Sequence, residues 1–482
     1  MEDQNEVVDV VVVGGGAAGL AAAVASATRG MKTVLLEKEP RLGGTTRLSV
    51  GSFSAAGTRF QKRAGIIDSP DHFREDMVAF APALESRDNS ALRAMLAAEA
   101  SVTLSWLEDL GVVFVGPFPE PPHRVNRMHN VIPNSQAYVD TLERAARRLG
   151  VKIYLGTRVK SLSEEKGSVV GVTYKRDGGQ ELSLIARRGV VLATGDFSGN
   201  AELRKKNLSP AAAAAIPVNP QSNGDGHQMA KVLGAEQRNM DMIFGPQLRF
   251  PKAPKLGLIE RLPRWRWVNR IGGIYMSKAP SWMLKPLVTS LLITHMSPSE
   301  SLFEEGAVLV DLDGNAVIGE TPAAGLAMAR DATGNIVFDD LVAKKFTEFP
   351  YFISTAPGIA YAYFADYARG RPDLMHGGAS LEKLASTIGV PLKQLQKSVD
   401  HLSHPPFYAM GPVRAMLTVT EGALAVDTEC RVLNEDGVPI EGLYAVGGIG
   451  QGGMMLKGHG LHIAWALTSG RIAGESVARR EA

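Results

Sequence analysis

The sequence predicts an α/β fold organised round a parallel sheet, with a small antiparallel sheet beside it. Three observations point there. Val7, Val8 and Val10 to Val13 form a β-branched run broken only by Asp9, the pattern of a strand covered on both faces. A glycine turn follows at once, with Gly14, Gly16 and Gly19 at G-x-G-x-x-G spacing. An alanine-rich stretch, Ala17 to Thr28, has helix composition and stops at Gly30, and a second strand, Thr33 to Leu36, ends at Glu37.

Each part of this βαβ unit has a physical task. Gly14 permits the tight turn, Gly16 lets backbone N–H groups approach a pyrophosphate, and Gly19 lets helix and strand pack closely. The helix N-terminus offers its positive end to the phosphates, and Glu37, eighteen residues after Gly19, is placed to accept a ribose hydroxyl. The unit therefore reads as an adenine-dinucleotide site of Rossmann-like form.

A chain of 482 residues has room for two or more domains, each with its own core. Its 52 Lys plus Arg against 50 Asp plus Glu leave a formal charge of +2, and no basic block marks nucleic acid as a partner. The start, MEDQNEVVDV, carries no signal-peptide or twin-arginine pattern, so cytoplasm is the expected location. Cys430 is the single cysteine, which excludes an intrachain disulfide, a cluster held by this chain alone and a C-x-x-C-H haem attachment. No metal site is expected. Electrons must then pass to or from a separate donor or acceptor.

Arg41 to Gly57, RLGGTTRLSVGSFSAAG, combines glycines that let backbone crowd a ligand with hydroxyls that bond it. Asn89 to Leu110 and Gln136 to Leu149 read as helices, the first stopped by Gly111. Val151 to Leu155, Val169 to Lys175 and Leu182 to Ile185 read as the antiparallel sheet, turning at Asp177 to Gly179. Gly189 to Thr194 returns to the parallel sheet. Asn223 to Val232 holds a helix, and Met240 to Gly306 is rich in Trp and Pro, with Leu284, Leu287, Val288, Leu291 and Leu292 at helical spacing. That apolar face suits domain packing, or a hydrophobic lid or peripheral membrane contact. Ala307 to Glu320, Tyr351 to Arg369 and helices near Leu381 to Ile388 and Leu392 to Leu402 complete a second region. Gly442 to Gly453 is another strand and glycine turn, and a final helix spans about Leu461 to Arg480.

GGGAAG (Gly14 to Gly19), Glu37 and Lys38, GGTTRLSVGSFSAAG (Gly43 to Gly57), VVLATGDF (Val190 to Phe197), NGDGH (Asn223 to His227), GLYAVGG (Gly442 to Gly448) and GRIAGE (Gly470 to Glu475) together resemble the flavoproteins that include soluble fumarate reductases and 3-ketosteroid dehydrogenases. The resemblance implies FAD held by sequence-distant pieces, with an inserted α+β capping domain: residues 1–240 and 406–482 for FAD, 241–405 for substrate. The FAD contacts it implies are Gly14, Gly16, Ala18, Gly19, Glu37, Lys38, Gly44, Thr45, Thr46, Ser49, Gly51, Ser52, Val159, Ala193, Thr194, Gly195, Asp225, Gly447, Gly448, Gly460 and Leu461. Relatives that attach FAD covalently have a histidine where this chain has Thr45, so the FAD is expected to be non-covalent. Gly458 to Leu461, opening the last helix, suits stabilising negative charge near flavin N1.

The substrate residues of those relatives do not carry over. Ala343 stands near the place of the fumarate-type donor arginine, Thr418 to Ala423 replaces H-H-T-M-G-G, and Lys457 falls where a carboxylate-binding arginine is implied. Lysine lacks the planar fork that suits a carboxylate, although one carboxylate or a ketone oxygen could still be held by Lys457. The ketosteroid tyrosine after an Asn-Glu pair is also missing at Gly319 to Ala323. Tyr361 and Tyr363 lead a cluster with Tyr351, Tyr367 and Tyr408, while His459 sits at the mouth of the last helix, and Arg124 and His129 suit a pocket rim. The expected activity is desaturation of a hydrophobic cyclic or steroid-like ketone at a CH–CH bond beside the carbonyl, with Tyr361, Tyr363, Lys457 and His459 as catalytic candidates. The alternatives are reduction of an unsaturated carboxylate and a flavin-carrying subunit without turnover.

Overall fold

The computed structural model describes residues 5–176, 179–253, 289, 292–293, 297–356 and 360–481. The first strand, Asn5–Val13, lies inside the main sheet, parallel to Thr33–Leu36 on one side and Glu181–Leu192 on the other. Val10, Val11 and Val12 are wholly buried, as a strand with both faces covered requires. Pro439–Ala445 extends the parallel run next to Glu181–Leu192, and Lys152–Tyr154 adds the opposite edge next to Thr33–Leu36.

Two sequence expectations change here. Val151 to Leu155, expected in the antiparallel sheet, forms the parallel edge instead, with Ile153 opposite Leu35; so short an apolar run carries no mark of its partner. Leu182 to Ile185 and Gly189 to Leu192, read as strands of two sheets, are one strand. Both halves pair parallel with the first strand, across a register shift between Val8 and Val10, and the first half also pairs antiparallel with Ser168–Arg176. The polar Arg187-Arg188 pair looks like a break in the sequence but lies within extended backbone. The expected turn at Asp177 and Gly178 lies outside the described residues.

Helix Ala17–Thr28 is buried along almost its whole length, and the last helix, Leu461–Arg479, lies against it. The approach depends on two glycines one helical turn apart. A Cβ on Gly470 would stand 2.3 Å from the Ala18 carbonyl oxygen, and one on Gly474 would stand 2.3 Å from that of Ala22. Helix Ser90–Leu110 braces the last helix from another side: Arg471 Nε donates to Thr103 Oγ1 at 3.1 Å, and the guanidinium pairs with Glu99. That brace matches the predicted helix, with Asn89 Oδ1 capping Leu92 N and Gly111 left-handed at φ 110°.

A second sheet runs Ile216–Pro217, Phe407–Leu417, Thr333–Asp339, Val308–Asp311, with Gln247–Arg249 and Met375–Gly378 also pairing to Phe407–Leu417. It therefore recruits residues from outside the 241–405 span read from the sequence, because strand pairing is non-local. Two further apolar cores cover this sheet. Leu292 is buried in one of them, packing rather than facing outward; Leu284, Leu287, Val288 and Leu291 lie outside the described residues. No described helix is long and apolar enough to cross a membrane.

Replacing Gly474 by Ala places a methyl carbon inside the Ala22 carbonyl contact. The expected loss is about 1–3 kcal/mol of stability, read as a lower thermal unfolding midpoint.

Candidate functional site

The glycine turn, the Gly44–Leu48 loop, the end of Glu181–Leu192, the Val446 to Gly448 turn and the start of the last helix enclose one cavity of about 600 Å³. Gly14 is at φ 108°, and a Cβ there would collide with the Ala193 carbonyl at 2.4 Å, so the turn and the neighbouring strand touch backbone to backbone. A Cβ on Gly16 would meet nothing within 4 Å: that glycine keeps backbone open to the cavity. Glu37 ends its strand and takes Gly15 N–H on Oε2 at 2.6 Å and Glu39 N–H on Oε1 at 2.9 Å. Burial pushes its carboxyl above the usual range against these two donors.

Lys38 and Arg158 both reach Asp225, at 2.9 and 2.7 Å, fixing one end of the cavity. Thr45 Oγ1 accepts from Asn219 Nδ2 at 2.8 Å. Thr194 Oγ1 is buried on the cavity wall without a hydrogen-bond partner, an orphan that a bound ligand would satisfy. The wall also receives the N-terminus of the nineteen-residue last helix through Gly458, His459 and Gly460. This set of open glycine backbone, buried acid, orphan hydroxyl and helix N-terminus fits a flavin dinucleotide.

The chain matches the family described as FAD binding domain over residues 9–456. It belongs to that family. It is 27% identical to probable fumarate reductase Ifc3 of Shewanella frigidimarina, covering 98% of this chain and 75% of that one. It is 26% identical to a 3-oxosteroid 1-dehydrogenase of Mycolicibacterium smegmatis, covering 98% and 97%. The structure of the open conformation of a flavocytochrome c3 fumarate reductase superposes with a TM-score of 0.75 at 25% identity, covering 98% and 78%. The protein is thus an FAD-dependent oxidoreductase acting on CH–CH bonds.

Within this FAD-binding fold, the proposed cofactor residues line the cavity, with two exceptions. Gly19 packs instead: a Cβ there would stand 1.9 Å from the Gly14 carbonyl oxygen. Leu461 is buried in the main core. Of the catalytic candidates, the cavity receives His459 alone. Tyr361 packs between Phe349 and Phe352, Tyr363 caps helix Phe364–Gly370, and neither lines the cavity. Tyr351 and Tyr408 likewise pack on neighbouring rings.

Lys457 is turned away from the expected role. Its ammonium pairs with the buried Glu421 and donates to the Ile243 carbonyl at 2.7 Å. Burial would raise the Glu421 carboxyl, but His462 and Lys457 hold it below the usual carboxylate range. Arg124 pairs with Asp76 and Glu75, and His129 is buried against Thr58 and the Phe53 carbonyl, so neither forms a rim of this cavity. Ala343 is buried in the second core, and Lys344 and Lys345 pair outside with Asp340 and Glu305.

Sequence reasoning missed several residues here, four of them on one part of the wall. Arg249 and Gln247, from a strand of the second sheet, line the cavity with Thr418 and His462. Arg249 Nη2 donates to Gln247 Oε1 at 3.2 Å and to Thr418 Oγ1 at 3.0 Å, and its Nε is buried without a partner. Among the described residues no carboxylate pairs with it. Burial lowers its pKa, the mark of an uncompensated charge. The available signal was Gln-x-Arg followed by a Pro-rich run, which has no specificity alone.

His459 holds Glu120 through Nδ1 at 2.5 Å, and this bond raises the imidazole pKa against the nearby Arg249 charge. Because Thr45 stands where an attaching histidine would be, acid precipitation should release all the flavin into the supernatant; yellow protein in the pellet would contradict this.

Proposed function

We propose that the enzyme reduces a carbon–carbon double bond conjugated to a single carboxylate, with Arg249 as the anion anchor. The observation that carries this reading is the Arg249 guanidinium on the cavity wall, whose Nε is buried without a partner and which no carboxylate among the described residues answers. Its planar fork matches a carboxylate, and the anion would satisfy the orphan Nε or its neighbouring N–H groups. FAD, when bound, supplies the hydride. Arg249 holds the carboxylate and stabilises the negative charge that spreads onto it as the β carbon is reduced.

His459 supplies the proton. Glu120 occupies Nδ1, leaving Nε2 as the ring's free position, and the raised pKa keeps the imidazolium populated at higher pH than an unpartnered histidine. The proton passes from Nε2 to the α carbon, and Glu120 steadies the ring throughout. The name of one relative, a fumarate reductase, supports the reductive direction, whereas the lysine expected to hold a second carboxylate, Lys457, is neutralised by Glu421. Desaturation of a neutral ketone loses its proposed tyrosine base, because Tyr361 and Tyr363 lie off the cavity wall. A separate carrier delivers the electrons.

Reduced holoenzyme, kept anaerobic, should be reoxidised by acrylate, crotonate or cinnamate and far less by fumarate or cyclohexenone. Reoxidation by cyclohexenone but by no acid would overturn the reading. Arg249→Gln should raise KM for the active acid by about 100-fold, the scale expected when a buried charge contact is truncated. Glu120→Gln removes the partner that raises His459. The alkaline limb of the kcat/KM profile for reduction should therefore move to lower pH, while activity at acid pH is retained.

A further inference from the structure

Beyond Arg249, the wall contributed by the second sheet region places hydroxyls on the cavity, and one of them has a defined direction. Ser354 begins the short hairpin Ser354–Ala356 with Ala360–Ala362 and lines the cavity while only 1% exposed. Tyr367, wholly buried, donates its phenol hydrogen to Ser354 Oγ at 2.9 Å. A hydroxyl that accepts from a phenol cannot return its own hydrogen along the same line. Among the described residues the Ser354 hydrogen has no acceptor, and the cavity is the open direction.

Tyr367 is well fixed for that task. Its ring packs on Phe250, the residue after Arg249, with centroids 5.7 Å apart, and burial pushes its pKa up to about 12, so the phenol keeps its proton. Arg371 ties the same helix end to the Pro251 carbonyl at 2.9 Å. The anchor strand and the Tyr367–Ser354 pair are thus one connected wall.

We propose that Ser354 donates a hydrogen bond to a neutral oxygen of the substrate, with Tyr367 as its positioning residue. Resting on the monocarboxylate reading, this assigns the substrate as an oxygenated acid: a carboxylate at Arg249 and a carbonyl or hydroxyl oxygen at Ser354. An acid without that oxygen leaves a buried donor unpaired, which makes Ser354 a specificity device and not only a contact.

The test is titration of oxidised holoenzyme, followed by flavin absorbance, with 4-oxopentanoate, 5-oxohexanoate and 6-oxoheptanoate beside pentanoate, hexanoate and heptanoate. At least one oxo acid should bind about fivefold tighter than its parent, the value of one neutral hydrogen bond. Ser354→Ala should erase that preference, because the donor that the parent acids leave unpaired is gone; Ser354→Thr should keep it. Tyr367→Phe should reduce the preference without weakening the parents, which a general loss of packing would not do. No preference at any length, or a preference that survives Ser354→Ala, overturns the proposal. Arg249→Gln tests the underlying reading separately, since it should weaken parents and oxo acids alike; unchanged binding of both would remove the anion anchor and leave the Ser354 result standing.

Discussion

The backbone contact between the first and last helices is the constraint on which the rest depends. Gly470 and Gly474 let the last helix touch the Ala18 and Ala22 carbonyls, and Gly19 lets the first helix touch the turn that precedes it. Without these approaches the N-terminus of the last helix would not reach the wall formed by Gly14 and Gly16. Residues more than 400 apart in sequence, such as Ser54 and His459, are then joined, with Ser54 Oγ donating to the His459 carbonyl at 2.9 Å. The cofactor site is a consequence of helix packing as much as of the glycine turn.

On that frame several charges near the cavity are arranged in compensated pairs. Glu120 answers His459, and Glu421 answers Lys457 with His462 3.6 Å away. The buried ion group of Asp68, Asp76 and Arg127 lies beneath the loop that carries Glu120, and His123 N–H donates to the Glu120 carbonyl at 3.0 Å. Such pairs hold geometry because breaking one would strand a buried charge. Arg249 donates to neutral acceptors and pairs with no carboxylate among the described residues; on the proposed reading its compensation comes from what enters the cavity.

The nucleotide end was legible because its requirements are local. A strand, a glycine turn, a helix and Glu37 lie within about one βαβ unit, and each residue's task follows from backbone geometry. The capped helix Ser90–Leu110 was legible for the same reason. The substrate end was not, because its residues acquire meaning through partners far away in sequence. Lys457 suggests an anion grip until Glu421, thirty-six residues earlier, is found to occupy it. Tyr361 and Tyr363 cluster in sequence, yet one ring joins an aromatic stack and the other residue's backbone N–H caps a helix through Asp366. Arg249 is an arginine in a Pro-rich stretch until strand pairing opposite Arg414 aims it at Thr418.

On the proposed reading, that contrast also explains why Arg249, rather than Lys457 or His459, is the anion anchor. Lys457 and His462 share Glu421, and His459 has Glu120, so a second carboxylate on the substrate would find these three cations already answered, at a cost in desolvation. A substrate with no charge would leave Arg249 as it is, largely buried and unanswered. A monoanion satisfies both conditions at once. On the same reading the hydroxyl of Ser354, held by Tyr367, distinguishes among monoanions by a neutral hydrogen bond, a finer discrimination laid over the coarser one that charge imposes.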